Sequence, residues 1–433
     1  MGETMIGIIG VLGLFVLFLT GMEMAFAMAI IAFVGYSILN SPQAALFMMA
    51  NDFHANFENY GMTVVPLFVI MGQIVFNGGL ANKIYDGTHT FFGHIAGGLA
   101  IATVVGASIF KAMCGSSSAT TATFASVAVP EMDKYGYDKK LSTGIVATVG
   151  VLGLLIPPAA TLILLGIITQ QSIGKLFMAG IAPGLMLAVL YIGVILGWGR
   201  VNPAIGPAGK KYSWSQRMRA LPDLLWPAII FIVMIGGLMA GFFTPTEAGA
   251  IGLFSVLVVT VAKRNINFSG IKASTTEGLR TTGMMILLIT ASTMFGHFIA
   301  ITNIPAAVSD LLSSLPVHRH ISLCIIFAVY LLGGSFMDDL AFLILATPIF
   351  FPTMTTMGYD PIWICIALSV VLGIGSVIPP VAINVFIVSN ISKVPAGIIY
   401  KGVYPFLFAL IFCVVLLFIF PQIATYLPSV LMK

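Results

Sequence analysis

Gly115-Ser116-Ser117-Ser118, followed by Pro130, Gly136-Tyr137-Asp138 and Gly153-Leu154-Leu155-Ile156-Pro157-Pro158, is a stretch that the chain writes twice. The second copy reads Gly334-Ser335-Phe336-Met337-Asp338-Asp339, then Pro352, Gly358-Tyr359-Asp360, Gly375 and Ile378-Pro379-Pro380. From Pro130 onward the two copies keep a constant offset of 222 positions (352 − 130), which still holds at Gly180 with Gly402 and at Pro183 with Pro405. A gapless register over Gly, Pro and Asp positions marks an internal duplication. In a membrane chain, duplicated halves whose apolar segments are interrupted by Gly and Pro point to a transporter.

The chain is of membrane composition. Of its 433 residues 59% are hydrophobic and only 8% charged, with mean hydropathy +1.07, whereas soluble domains carry about a quarter charged residues. Apolar runs at 5–19, 22–38, 177–198, 224–243 and 398–420 approach or reach the roughly 20 residues that a bilayer-spanning helix needs. The predicted class is an all-α polytopic membrane protein embedded in a lipid bilayer. The first run has only Glu3 before it and no basic segment, so it reads as a retained helix rather than a signal peptide. Cys114, Cys324, Cys365 and Cys413 lie scattered in apolar stretches without Cys-x-x-Cys or Cys–His spacing, which predicts packing roles rather than disulfides or a metal site. The formal charge of +4 comes largely from loop lysines and arginines that orient the chain, and implies no nucleic-acid partner.

Taken in order, two spans are followed by a stretch at 51–60 too hydrophilic to cross, then a span at 64–76. An arm at 97–113 runs into the Gly-Ser tip and returns through 119–129 to Pro130. A return arm of about 11 residues is too short to cross at 1.5 Å per residue, which predicts a re-entrant hairpin with its tip near mid-membrane. Backbone can leave helical form at that depth only where protein or a water-filled cavity satisfies it. The next helix, from 141, breaks over 153–158, where two successive prolines remove backbone donors, and resumes at Ala159. Arg200, Lys210, Lys211, Arg217 and Arg219 form one basic loop and Lys263, Arg264, Lys272 and Arg280 another, both cytoplasmic by charge.

The second half is expected to repeat the first, with a helix at 284–301, an arm at 321–332, a tip, a return arm and a break over 373–380. Lys134, Lys139 and Lys140 at the base of the first hairpin have no basic counterpart between Pro352 and Asp360, although Arg319 votes the other way. The two halves are therefore expected to be inverted. The expected division is 1–60 N-terminal scaffold, 61–176 first transport repeat, 177–280 scaffold helices and loops, 281–395 second transport repeat, and 396–433 a C-terminal helix.

Several motifs together resemble the large membrane subunit of tripartite ATP-independent periplasmic (TRAP) transporters. They are Ala107-Ser108-Ile109-Phe110 leading to Gly115-Ser116-Ser117-Ser118-Ala119-Thr120, Val129-Pro130-Glu131-Met132, Gly153 to Pro158, Phe243-Thr244-Pro245-Thr246-Glu247-Ala248, and Ile378-Pro379-Pro380-Val381-Ala382-Ile383-Asn384-Val385-Phe386. They span nearly the whole length in order. The resemblance implies a sodium-driven, elevator-type importer of organic acids, such as C4-dicarboxylates, keto acids or sugar acids, in a bacterial inner membrane. It also implies two partners, a small four-helix membrane subunit and a periplasmic substrate-binding protein. Two positions depart from the pattern: Lys111 stands where a small residue is expected, and Phe336-Met337 makes the second tip bulkier than the first.

Candidate sites follow from the tips and the breaks. Carbonyls at half-helix C-termini suit a hard cation such as Na⁺, so Gly115, Ser116 and Ser117 with backbone near Gly150 and Gly153 are expected to form one sodium site. Gly334, Ser335 and Asp338 with backbone near Gly373 and Gly375 are expected to form the other. The serines would equally cap the return arm. Helix starts attract carboxylates, and the substrate is placed between Thr161, Asn384 and the two tips, with Ser118, Thr120 and Lys111 as further contacts. Glu247 reads as part of a capping box, and His318-Arg319-His320 as a solvated loop. An intramembrane aspartyl protease would need two aspartates from separate helices, whereas Asp338 and Asp339 are neighbours, so no enzyme is expected. A stand-alone sodium–organic-anion symporter of the same architecture is the alternative.

Overall fold

Apolar backbone in a bilayer has no water to bond and satisfies itself as helix. The computed structural model describes residues 2–314 and 318–431, where the chain is helical without strands. It opens with α1 (Glu3–Leu19) and α2 (Met24–Leu39), then α3 (Pro42–Glu58), α4 (Val64–Asn77) and α5 (Leu80–Phe92). The first arm pair is α6 (Gly98–Cys114) and α7 (Ser117–Lys134). The broken helix comprises α8 (Lys139–Val149), a 3-10 segment Gly150–Leu154, and α9 (Ala160–Ile168). Next come α10 (Ile173–Val201), α11 (Trp214–Met239), α12 (Pro245–Ala262), α13 (Phe268–Ile301) and α14 (Ile304–Ser314). The second arm pair, α15 (Arg319–Phe336) and α16 (Asp339–Thr356), precedes α17 (Pro361–Gly375), α18 (Ile383–Ser392), α19 (Ala396–Ile419) and α20 (Gln422–Leu431). Among the described residues eight helices are long and apolar enough to cross a membrane.

The sequence offset recurs in local structure. Ser116 and Asp338 cap α7 and α16, each helix 18 residues long, by accepting from Ala119 and Leu340 amides. Asp138 and Asp360 cap α8 and α17 in the same way. Gly136 and Gly358 turn the chain before those caps at φ of 74° and 83°, a region open to glycine. The Pro157–Pro158 and Pro379–Pro380 peptide bonds are both cis.

Most of the hydrophilic stretch 51–60 belongs to α3, started by the Ser41 cap and Pro42 at the first helical position. Three expectations are corrected. Pro130 does not end the return arm, because proline forfeits one amide and leaves the rest of the helix free to continue. Val129 and Met132 are buried on either side of it and carry α7 on to Lys134. The arm is thus about 27 Å long at 1.5 Å per residue, and its length does not set the depth of the tip. The helix expected from 284 starts at Phe268. Arg319 and His320 begin α15 rather than lying in a loop, with His318 as cap and His320 Nδ1 paired to the Tyr359 hydroxyl at 2.7 Å. Thr244 and Glu247 do form the capping box of α12.

Helices α2, α13, α4, α12 and α11 pack in succession into one body. In the other, α19 lies on α8, α7 on α18, α15 on α17, and α10 on α19 and α9. The α8–α19 crossing is a backbone contact: a methyl group at Gly402 would overlap the Lys140 carbonyl, and one at Gly144 would overlap Gly402 itself. Small residues permit such an approach where no solvent drives helices together.

Candidate functional site

Where the two bodies meet, α4 and α13 face both tips across a cavity of about 420 Å³. Its wall comes from the first tip (114–119), the start of α9 at Ala160 and Thr161, the second tip at Asp338–Leu340, and Gln73, Glu277 and Thr281 opposite. Three helix starts therefore converge on one space, those of α7, α9 and α16. None of its lining residues among those described is Lys, Arg or His, and three are carboxylates: Asp338, Asp339 and Glu277.

The candidate substrate contacts divide. Ser118 and Thr161 line the cavity. Thr120 is fully buried and donates to the Ser116 carbonyl at 3.0 Å. Asn384 is also buried off the wall, its amide donating to Ser376 Oγ at 3.1 Å and Ser117 Oγ at 3.4 Å. Lys111 lies fully buried behind the tip, and its ammonium donates to the Ser116 carbonyl.

The expected sodium ligands also separate. Gly115 takes a left-handed conformation, φ 67°, that turns the first tip, and its carbonyl accepts from the Ala160 amide at 3.2 Å. Gly150 faces Ser117, Thr121 and Asn384: a methyl there would overlap the Thr121 hydroxyl and fall 3.2 Å from Ser117 Oγ. Gly153 instead faces Lys111, whose ammonium a methyl would overlap. In the second copy, Gly334 and Ser335 are inside α15 and not in the tip. The Ser335 carbonyl accepts from both Val381 and Ala382 amides at 3.1 Å. Gly375 lies against the Gly334 backbone, Gly373 against Val151, and Asp338 caps α16.

Sequence reasoning missed Thr121 and Ser376, and gave Asp339 no place in its sodium set. The Thr121 hydroxyl and one Asp339 oxygen are buried without a hydrogen-bond partner. Asp339 was visible as half of an acidic pair. Thr121 lies beside Gly150 with Ser117, and Ser376 pairs with Asn384, whose amide also reaches Ser117; packing of α7 on α18 makes these meetings, which no spacing along the chain encodes.

A second cavity, about 710 Å³, lies farther along α13 and is lined by Ser292, Thr293 and His297 with Asn56, Asn59 and Thr169. His297 Nδ1 sits 2.9 Å from Asp52 Oδ2 on α3.

Comparison with known proteins agrees with this architecture. A solved transporter, YdaH of Alcanivorax borkumensis, superposes with TM-score 0.65 at 15% identity over 90% of each chain, a likeness of fold. The C4-dicarboxylate TRAP transporter large permease protein DctM of Pseudomonas aeruginosa is 32% identical over 394 residues, 91% of this chain and 90% of that one. The ectoine TRAP transporter large permease protein TeaC of Halomonas elongata is 31% identical over 415 residues, 95% and 96% of the two chains. The 2,3-diketo-L-gulonate large permease protein YiaN of Escherichia coli is 29% identical over 374 residues, covering 86% and 87%. Residues 11–423 match the family model described as "Tripartite ATP-independent periplasmic transporter, DctM component". The chain is thus an inner-membrane protein and belongs to the DctM component family of tripartite ATP-independent periplasmic transporters, in which a large permease works with a small membrane subunit and a periplasmic binding protein.

Proposed function

We propose that this chain imports an organic acid, driven by sodium, by moving the body that carries both tips against the body built on α2, α4, α11, α12 and α13. The observation that carries the reading is the convergence of three helix starts on one cavity between the bodies. Free amides and the positive ends of helix dipoles receive a carboxylate there, with Ser118 and Thr161 as direct contacts. Sodium is assigned to the hydroxyls of Ser117 and Thr121 beside Gly150, where Thr121 offers a hydroxyl without a partner, with Ser376 linked to Ser117 through the Asn384 amide. Its charge offsets that of the carboxylate during the crossing.

Two cavities along α13 support alternating access. The first is lined by Glu277, Thr281 and Met285, nearer the basic loop with Lys263, Arg264 and Lys272, and so belongs to the cytoplasmic side. The second, at Ser292–His297, belongs to the periplasmic side. In this reading the repeats are inverted, each arm pair is re-entrant from its own face, and α10 and α19 travel with the broken helices on which they pack. The small membrane subunit supports the stationary body, and the periplasmic binding protein delivers the substrate.

Within the organic acids, the lining favours one carboxylate with a cationic group over a dicarboxylate. Three carboxylates and no basic side chain face the cavity, and a second anionic group would meet repulsion. Relatives named for C4-dicarboxylate and for ectoine stand at similar identity, so the lining is what separates the two classes. Uptake of a panel of dicarboxylates, keto acids, sugar acids and zwitterionic carboxylates into proteoliposomes holding the complete transporter tests this. Saturable uptake of zwitterions supports the reading, and a preference for dicarboxylates overturns the zwitterion assignment.

A further inference from the structure

Lys111 is the buried charge that the transport reading leaves unused. It lies in the last turn of α6, at the negative end of that helix's dipole, and is fully buried. Its ammonium donates to the Ser116 carbonyl at the tip. It also fills the space beside Gly153 where that residue's side chain would be. Ser116 and Gly153 are two of the five residues, with Gly115, Ser117 and Gly150, that the sequence offers to a first sodium ion. A Lys side chain is absent from the cavity wall, so it has no substrate anion to meet there.

We propose that the Lys111 ammonium is a built-in cation that occupies one of the sodium positions at the first tip, so that this chain binds one sodium ion fewer than its tip-and-break architecture would otherwise hold. An ammonium and a sodium ion make the same demand, carbonyl and hydroxyl oxygens in a dry site, and the lysine meets it with a charge tethered to the chain. Asp339 of the second tip is also buried and has one oxygen without a hydrogen-bond partner. Among the described residues no ion pair joins Lys111 and Asp339. A tethered cation crosses with the substrate and returns with the empty carrier. It offsets charge in transit yet contributes nothing to the driving force, unlike a released ion.

The inference rests on the sodium reading of the tips, and the experiment separates the two. The purified complex of this chain with its small subunit is equilibrated with radioactive sodium alone, and ions bound per complex are counted for the wild type and Lys111→Ala. The expected result is one more sodium ion bound by Lys111→Ala than by the wild type. If the alanine chain does not fold, Lys111→Ser is counted instead, since it empties the same space and adds an oxygen. Equal, non-zero counts in the two proteins overturn the built-in cation and leave sodium binding standing. Sodium bound by the variant but not by the wild type supports the built-in cation while removing sodium coupling from the natural chain. No sodium bound by either overturns both.

Discussion

Gly153 illustrates how one side chain dictates another across a break. Lys111 is fully buried with its ammonium against Gly153, so a methyl at 153 must displace it. Gly153→Ala is expected to lower stability by about 1–3 kcal/mol, the usual cost of overpacking, and the loss should largely vanish in a Lys111→Ala background. Thermal melting of the four proteins in detergent measures that coupling, and equal losses in both backgrounds would separate the two residues. Asp338 caps α16 as Ser116 caps α7. Asp338→Ala should therefore cost about 1 kcal/mol, with Asp338→Ser restoring most of it in the same melting assay. The sequence made both tips legible through the offset of matching residues. It could not assign Gly153 to Lys111 and Gly150 to Ser117, because glycines one helical turn apart look alike until the packing behind them is known.

At the level of helices, punctuation was legible and continuity was not. The repeated Gly-Tyr-Asp triplets, quoted as markers of the duplication, end in the caps of matching helices, Asp138 of α8 and Asp360 of α17. Pro130 misled because its cost is one hydrogen bond, less than the packing of Val129 and Met132 returns. α5 escaped notice since its polar residues Asn82, Lys83, Asp86 and His89 hide an amphipathic helix among apolar spans. The α8–α19 crossing sets a further expectation. Gly402→Ala places a methyl into the Lys140 carbonyl and should destabilise by about 1–3 kcal/mol, whereas Gly397→Ala, in the same helix with open space beside it, should not. A melting comparison of the two variants decides whether that contact is as close as described.

For the molecule as a whole, α13 lines two cavities, one at Glu277–Met285 and one at Ile289–His297, and under the proposed function its direction sets which solvent each one faces. Thr281→Cys in the first cavity is expected to react with a membrane-impermeant thiol reagent from the cytoplasmic side, and Thr293→Cys in the second from the periplasmic side. Reaction of both from one side would remove the alternating-access reading. The duplication and the membrane class were readable from Gly, Pro and apolar periodicity alone. The cross-repeat contacts were not: Asn384 reaches Ser117 across 267 positions, and such meetings arise from how helices pack rather than from what each one contains.

The most direct test is uptake into proteoliposomes that hold this chain with its small subunit, with and without an inward sodium gradient and with and without the periplasmic binding protein. Uptake that requires both the gradient and the binding protein is the expected result. Uptake that proceeds without sodium, or with sodium but no binding protein, would contradict sodium-driven, binding-protein-dependent import by the cavity between the tips.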